Sequence, residues 1–200
     1  MSDRALTTLE YALLGLLDRQ PASGYDIARL FASTPMAHFS SSPGAIYPAL
    51  RRLERAGLIA GRLDRATEAR PRRVYTVTES GRAALGAWLR QPVTRQELVR
   101  DGRAPILRFS FAEGHLSRGE LLRYLEGYRR EVATYLEELG HVRAAMGNRT
   151  PHQRLALDHG IRAYESQLAW TTGAIRILEL AEAPSTEPEG EEPCTSRQPS

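Results

Sequence analysis

The sequence contains no lysine; its 27 basic side chains, set against 24 acids for a net charge of +3, are all arginine. Arginine abundance alone identifies no partner, since a GC-rich genome produces it too, so only its placement is informative. The single cysteine, Cys194, lies in a polar C-terminal stretch, which excludes an intrachain disulfide and suits a reducing cytoplasm. No apolar run approaches the roughly 18 to 20 residues that span a bilayer. The N-terminal segment carries Asp3 and then a capped amphipathic pattern in place of a basic patch and an apolar block, so no export signal and a cytoplasmic location are expected.

Catalytic constellations are equally scarce. The histidines at 38, 115, 141, 152 and 159 show no metal-ligand spacing, and Glu137 with His141 reads as a helix-surface pair. The glycines of "SGRAALG" lack a preceding buried strand, and Ser40 to Ser42 sit in no nucleophile elbow. Neither an enzyme nor a bound metal or cofactor is expected.

What is present is a patterned order of helices. Thr7 with Glu10 three residues later forms a capping box ahead of Leu9, Ala12, Leu13, Leu16 and Leu17, and Pro21 closes this first helix. "YDIARLFAST" predicts a second helix with Tyr25, Ile27, Ala28 and Phe31 inward. In "SPGAIYPALRRLERAGLI" Ser42 can cap, Pro43 suits the first position and Gly57 suits the stop. Ile46, Ala49, Leu50, Leu53 and Ala56 fall on one side of that third helix; Gly44, Tyr47, Pro48, Arg51, Arg52 and Arg55 fall on the other. "LIAGRL" and "RVYTVT" then read as two strands around an arginine-bearing tip that includes Arg65, Arg70, Arg72 and Arg73. A fourth helix, capped by Thr78, buries Leu85, Trp88 and Leu89.

Three helices followed by a hairpin make the winged helix-turn-helix plan, in which the third helix enters the major groove. Charge agrees with it. Residues 1 to 90 hold 13 arginines against 8 acids, and residues 51 to 73 hold 8 against 3. Arginine can grip phosphates or read guanine, and the sequence does not assign these roles.

The second half reads as a helical unit. Pro92 and the polar "VTRQELVRDGR" form a junction before the short apolar helix "APILRFSFAEG". A Ser117–Glu120 capping box opens a long helix whose Leu121, Leu125, Tyr128, Val132, Tyr135, Leu139, Val142 and Met146 alternate spacings of four and three. Thr150, Pro151 and Gln153 start another, with Leu157, Ile161, Tyr164, Leu168, Thr171, Ile175 and Leu178 in the same rhythm. Helices on the order of 45 Å long cannot bury such faces against one another and one small domain, so a second copy is expected to cover the remainder. Candidate interface residues are Leu121, Leu125, Tyr128, Val132, Leu168, Trp170, Ile175 and Ile177, with Trp170, Ala174, Ile177 and Ala181 as a stripe beside the seam. Trp88, Tyr128, Tyr164 and Trp170 are candidates for lining an aromatic-ligand pocket.

The expected fold is mainly α with a small β-hairpin wing: a winged helix-turn-helix domain at 1–91, a coiled-coil-like helical dimerisation and effector domain at 92–182, and a disordered tail at 183–200, rich in Pro, Glu and Ser.

"SGYDIARLF", "PGAIYPALRRLERAGLI" and "RRVYTVTESGRAALGAWL" resemble, in order and spacing, the winged-helix domain of PadR-family transcriptional regulators over about residues 6 to 90. The C-terminal half more loosely resembles the virulence-activator-type dimerisation domain of the longer PadR subfamily. The resemblance implies a homodimeric repressor on a palindromic operator, acting on its own or a neighbouring detoxification or efflux gene and in some members released by aromatic molecules. It places DNA contacts on Gly44, Tyr47, Pro48, Arg51 and Arg52 and, in the wing, on Arg72, Arg73 and Tyr75. In the loop before the third helix this chain has only Phe39 where many members have an aromatic pair. Alternative readings are a winged-helix and coiled-coil module for an acidic protein partner, a MarR-like regulator, or an activator.

Overall fold

The computed structural model describes residues 4–33, 43–64, 72–147 and 149–181. The loop before the third helix with Ser42, the wing tip with Arg65 and Arg70, and the tail expected to be disordered lie outside the described residues. In chain order the elements are α1 (Thr8–Arg19), β1 (Ala22–Ser23), α2 (Gly24–Ser33), α3 (Pro43–Arg55), β2 (Ile59–Asp64), β3 (Arg72–Val77), α4 (Glu79–Leu89), α5 (Arg95–Arg100), α6 (Ala104–Phe111), α7 (Arg118–Ala144) and α8 (Pro151–Leu180). The architecture is mainly helical with one small antiparallel sheet, as the pattern predicts.

Local signals set the element ends. Thr7 with Glu10, Ser117 with Glu120 and Thr150 with Gln153 each form the reciprocal capping box, satisfying N–H groups that a helix start leaves without partners. α3 ends at Arg55, and Gly57 at φ 72° turns the chain into β2. Ala56 therefore lies in an exposed turn, contrary to its predicted inward place. Tyr25 is also outward, 67% exposed: two residues along a helix rotate a side chain by about 200°, so it opposes the face buried by Ile27 and Phe31.

The sheet order is β1–β3–β2, with the wing strands in register from Ile59 opposite Val77 to Asp64 opposite Arg72. β1 pairs Ala22 with Tyr75 and Ser23 with Val74. Two residues are too few to show an alternation, so β1 leaves no sequence signal; the free edge of β3 creates it.

Two apolar cores result. The first gathers Leu13, Leu14, Leu17, Ile27, Phe31, Ile46, Leu50, Leu53 and Leu85 from α1 to α4, and Leu107 and Phe111 of α6 complete it. The second lies along α7 and α8, which run antiparallel: Arg118 Nε donates to the Leu178 carbonyl at 2.9 Å, Tyr128 Oη to Gln167 at 3.0 Å, and Arg143 faces Asp158 at 3.7 Å. α5, read from sequence as a polar junction, is a helix capped by Thr94 that inserts Leu98 into this second core.

Arg108 lies between the cores and is 1% exposed. It pairs with Glu97, donates to the Gln91 carbonyl at 2.6 Å, and holds its guanidinium 5.7 Å from the Trp88 ring and 5.4 Å from the Tyr124 ring. Burial pushes the Glu97 carboxyl above the usual glutamate value, against the opposing pull of Arg108.

Candidate nucleic-acid interface

α3 runs unbroken through Pro48 and presents two unlike faces. Ile46, Ala49, Leu50 and Leu53 are fully buried against the first core. Gly44, Tyr47, Pro48, Arg51 and Arg55 are exposed along the other side. The Tyr47 ring is 41% exposed and lies over Gly24; a Cβ on Gly24 would come within 2.6 Å of Tyr47 Cε1, so a side chain there would displace the ring. Arg55 Nε donates to the Arg51 carbonyl at 3.3 Å, and among the described residues no carboxylate pairs with Arg51 or Arg55.

Arg52 is placed differently from its sequence expectation. Its Nε donates at 2.7 Å to Glu10, a carboxylate with no exposed surface, which also accepts from Arg4 at 2.8 Å and from the Thr7 backbone N–H at 2.8 Å. Burial raises the Glu10 carboxyl, but the Thr7 N–H, Arg52, the Thr7 hydroxyl and Arg4 together outweigh it and hold it below the usual glutamate value. Arg52 thus ties α3 to α1 and is half withdrawn from the outward face. The clue in the sequence is that Glu10 occupies the stripe of Leu13, Leu14 and Leu17, where an acid needs a partner.

The base of the wing is also charge-paired. Arg73 lies 2.5 Å from Glu54 of α3, and Arg72 lies 3.6 Å from both Asp26 and Asp64. Tyr75 is not on the surface: 6% exposed, it belongs to the first core.

Two family descriptions match successive parts of the chain. Residues 13–87 match the transcriptional regulator PadR-like family, and residues 110–179 match the virulence activator alpha C-terminal domain. The chain carries a PadR-like transcriptional regulator domain followed by a virulence activator alpha C-terminal domain. It is 34% identical over 96 residues to the negative transcriptional regulator PadR of Bacillus subtilis, a match spanning 48% of this chain and about half (53%) of that relative. It is 29% identical to the probable transcriptional regulator Rv1176c of Mycobacterium tuberculosis over 88% of this chain and 96% of that one. The crystal structure of B. subtilis PadR in complex with operator DNA overlays with a TM-score of 0.41 at 27% identity, covering 86% of this chain and 99% of that one. The family and these relatives are regulators, not enzymes.

In the C-terminal half of this PadR-like chain the structure redistributes the residues assigned to an interface. Leu125, Tyr128 and Val132 are at most 2% exposed and Ile175 is 6% exposed, because the α7 seam packs on α8 of the same chain. Leu121 and Leu168 are partly buried against that core. The seam is therefore largely covered within the chain, with Leu125, Tyr128, Val132 and Ile175 buried there. The neighbouring stripe stays open: Ile177 is 69% exposed, Trp170 is 37% exposed, and Ala181 is exposed beside them.

The four candidate ligand aromatics do not converge. Trp88 stacks on Tyr11 at 4.4 Å inside the first core, away from the other three. Tyr128 is buried, its hydroxyl pushed up to about 12 by burial, and faces Trp170 at 6.4 Å; Trp170 meets Phe109 edge-on at 5.0 Å. Tyr164 packs against Tyr135 and donates to the Leu98 carbonyl at 3.1 Å. A cleft of about 320 Å³ lies between Leu89 to Pro92 and Glu120, Arg123 and Tyr124, and none of the four lines it. Among the described residues no group of three or more His, Cys, Asp or Glu is placed to hold a metal, and no helix is long and apolar enough to cross a membrane.

Proposed function

We propose that this chain is a homodimeric, sequence-specific DNA-binding regulator that inserts α3 into the major groove and rests its wing on the flanking backbone. Tyr47, Arg51 and Arg55 face the bases and nearest phosphates. The observation that carries this reading is the pair of exposed arginines on α3 that no described carboxylate neutralises, set beside a wing of the same sign. An adaptor for an acidic protein has no reason to combine a helix and a hairpin in this way.

The second copy joins through the open stripe of α8, Trp170, Ile177 and Ala181. A two-fold dimer then reads an inverted repeat with half-sites about one helical turn apart. Regulation is repression of the chain's own gene or a neighbouring detoxification or efflux gene. Release by a small aromatic molecule belongs to the same proposal, with Trp170, open at one edge beside Phe109 and Tyr128, as the reporting side chain.

Selection from random duplex DNA at about 0.15 M salt, where phosphate binding alone is weak, tests the central claim. Enrichment of an inverted repeat supports it, and a folded protein that enriches nothing refutes sequence-specific binding by the free chain. Titration with small aromatic acids that changes neither tryptophan fluorescence nor DNA affinity removes the effector.

A further inference from the structure

Glu54 is an acid on the helix that meets DNA in the reading above, on which the following rests. A carboxylate facing phosphate is repelled, so its place needs a reason. Two hydrogen bonds supply one. Glu54 Oε1 accepts from the Gly61 backbone N–H of β2 at 3.0 Å and from Arg73 of β3 at 2.5 Å, so one oxygen joins α3 to both strands of the wing. The arrangement is tight: a Cβ on Gly61 would lie 2.5 Å from that oxygen and 2.4 Å from Arg73 Nε, so only glycine leaves room for the pair. Arg73 is further placed over the Tyr75 ring, its guanidinium 6.0 Å from the centroid. Glu54 raises the Arg73 pKa by hydrogen bond and by charge, and the guanidinium stays cationic but matched.

We propose that Glu54 is a positioning residue that fixes the base of the wing against the recognition helix and withholds the Arg73 guanidinium from the phosphate backbone. The wing then lands where α3 lands. Arg51 and Arg55, which have no such acid among the described residues, supply the phosphate-facing charge, and Arg73 serves the protein's own geometry. This separates Arg73 from Arg51 and Arg55, which the sequence pattern places in one basic footprint.

Salt dependence reads the difference directly, because each phosphate neutralised by the protein contributes about 0.9 to the slope of log affinity against log salt. The full-length wild type, Arg73→Ala, Glu54→Gln and the double variant are titrated against one random-sequence duplex between about 50 and 200 mM salt. Glu54→Gln keeps an acceptor for the Gly61 N–H while removing the charge, and a thermal melt checks that it folds. The expected result is an unchanged slope for Arg73→Ala, a slope steeper by up to about 0.9 for Glu54→Gln, and return to the wild-type slope in the double variant. An Arg73→Ala slope shallower by about 0.9, or a folded Glu54→Gln protein with the wild-type slope, overturns the proposal. Arg73 is half exposed, so its variant stands as a test even where Glu54→Gln does not fold. Wild-type protein that binds no duplex at any salt refutes the DNA reading itself, a failure distinct from either slope result.

Discussion

The winged-helix unit and the α7–α8 hairpin are comparable in length but bury their apolar residues to different degrees. In the first, α1 to α4, the wing and α6 close around side chains with no exposed surface, among them Leu13, Leu14, Phe31, Ile46 and Leu50. In the second, two helices meet along one seam, and among their described apolar residues only Leu125 and Val132 reach complete burial, beside Thr171 of α8. The hairpin leaves Val142, expected in the α7 seam, 53% exposed, and away from the seam it exposes Leu155 at 67%, Ile177 at 69% and Leu180 at 64%. A helix in a multi-element core is covered from several directions, whereas a helix with one neighbour keeps most of its circumference in solvent. The first unit closes its core within one chain, and the second leaves an apolar stripe of α8 open.

Leucine truncations should expose this contrast first. Leu50→Ala opens a cavity where no solvent reaches, and a loss of about 2–5 kcal/mol in denaturant unfolding is expected. Leu125→Ala, in a thinner core able to relax, should fall near the lower end, about 2 kcal/mol. Leu155→Ala should stay within about 0.5 kcal/mol in dilute protein. A concentration-dependent loss at Leu155 equal to that at Leu50 would mean that a second copy covers the hairpin tip.

Buried charge gives the next effect. Glu10→Gln leaves Arg4 and Arg52 half exposed and able to hydrate, so the expected cost is about 1–2 kcal/mol at neutral pH. The sign with pH follows from the lowered carboxyl. The unfolded chain takes up the proton first, so Glu10 contributes its full stability above the ordinary glutamate value of about 4.5 and loses it as pH falls through the depressed folded value. Melting curves of wild type and Glu10→Gln should therefore converge on acidification. A constant gap down to about pH 3 would show that Glu10 acts through shape alone. Glu120, held to about 2 by the Ser117 N–H and hydroxyl and then by Arg90, acts in the same direction in both proteins and does not alter the difference.

Smaller in stability, though not in assembly, is the open stripe. Ile177→Glu places a charge on a surface already in water, so the monomer should melt within about 0.5 kcal/mol of wild type. Sedimentation should show dissociation into single chains, and an unchanged sedimentation profile would move the dimer contact off α8. The least perturbing change is Arg51→Ala, which should leave the melt unchanged while reducing the salt slope of binding by about 0.9 if the guanidinium meets a phosphate. An unchanged slope with altered preference at one base pair would make Arg51 a base reader.

Much of this was legible from the chain. The capping boxes at Thr7, Ser117 and Thr150, the inward set Ile46, Ala49, Leu50 and Leu53, and both wing strands are local: spacing, caps and alternation act within a few residues, and tertiary packing did not override them. The outward placement of Tyr47, Arg51 and Arg55 follows from the same periodicity. Partnership was not legible. Glu10 with Arg52 is separated by 42 residues and Glu54 with Arg73 by 19, and nothing local says which arginine meets an acid of its own chain. Arg108 sits among Ala104, Leu107 and Phe111 on the buried side of α6, but the groups that receive it, Gln91 and Glu97, come from other elements.

The sequence by itself determined every helix but α5, both wing strands and the basic outward face, because each rests on periodicity and end signals that a short segment contains whole. Only the tertiary structure decided which charges remain available and which apolar faces remain open. Whether a guanidinium is free or an apolar stripe covered depends on what the rest of the chain brings within a few ångströms. Here it paired Arg52 and Arg73 with acids, turned the α7 seam onto α8, and left Arg51, Arg55 and Ile177 facing outward.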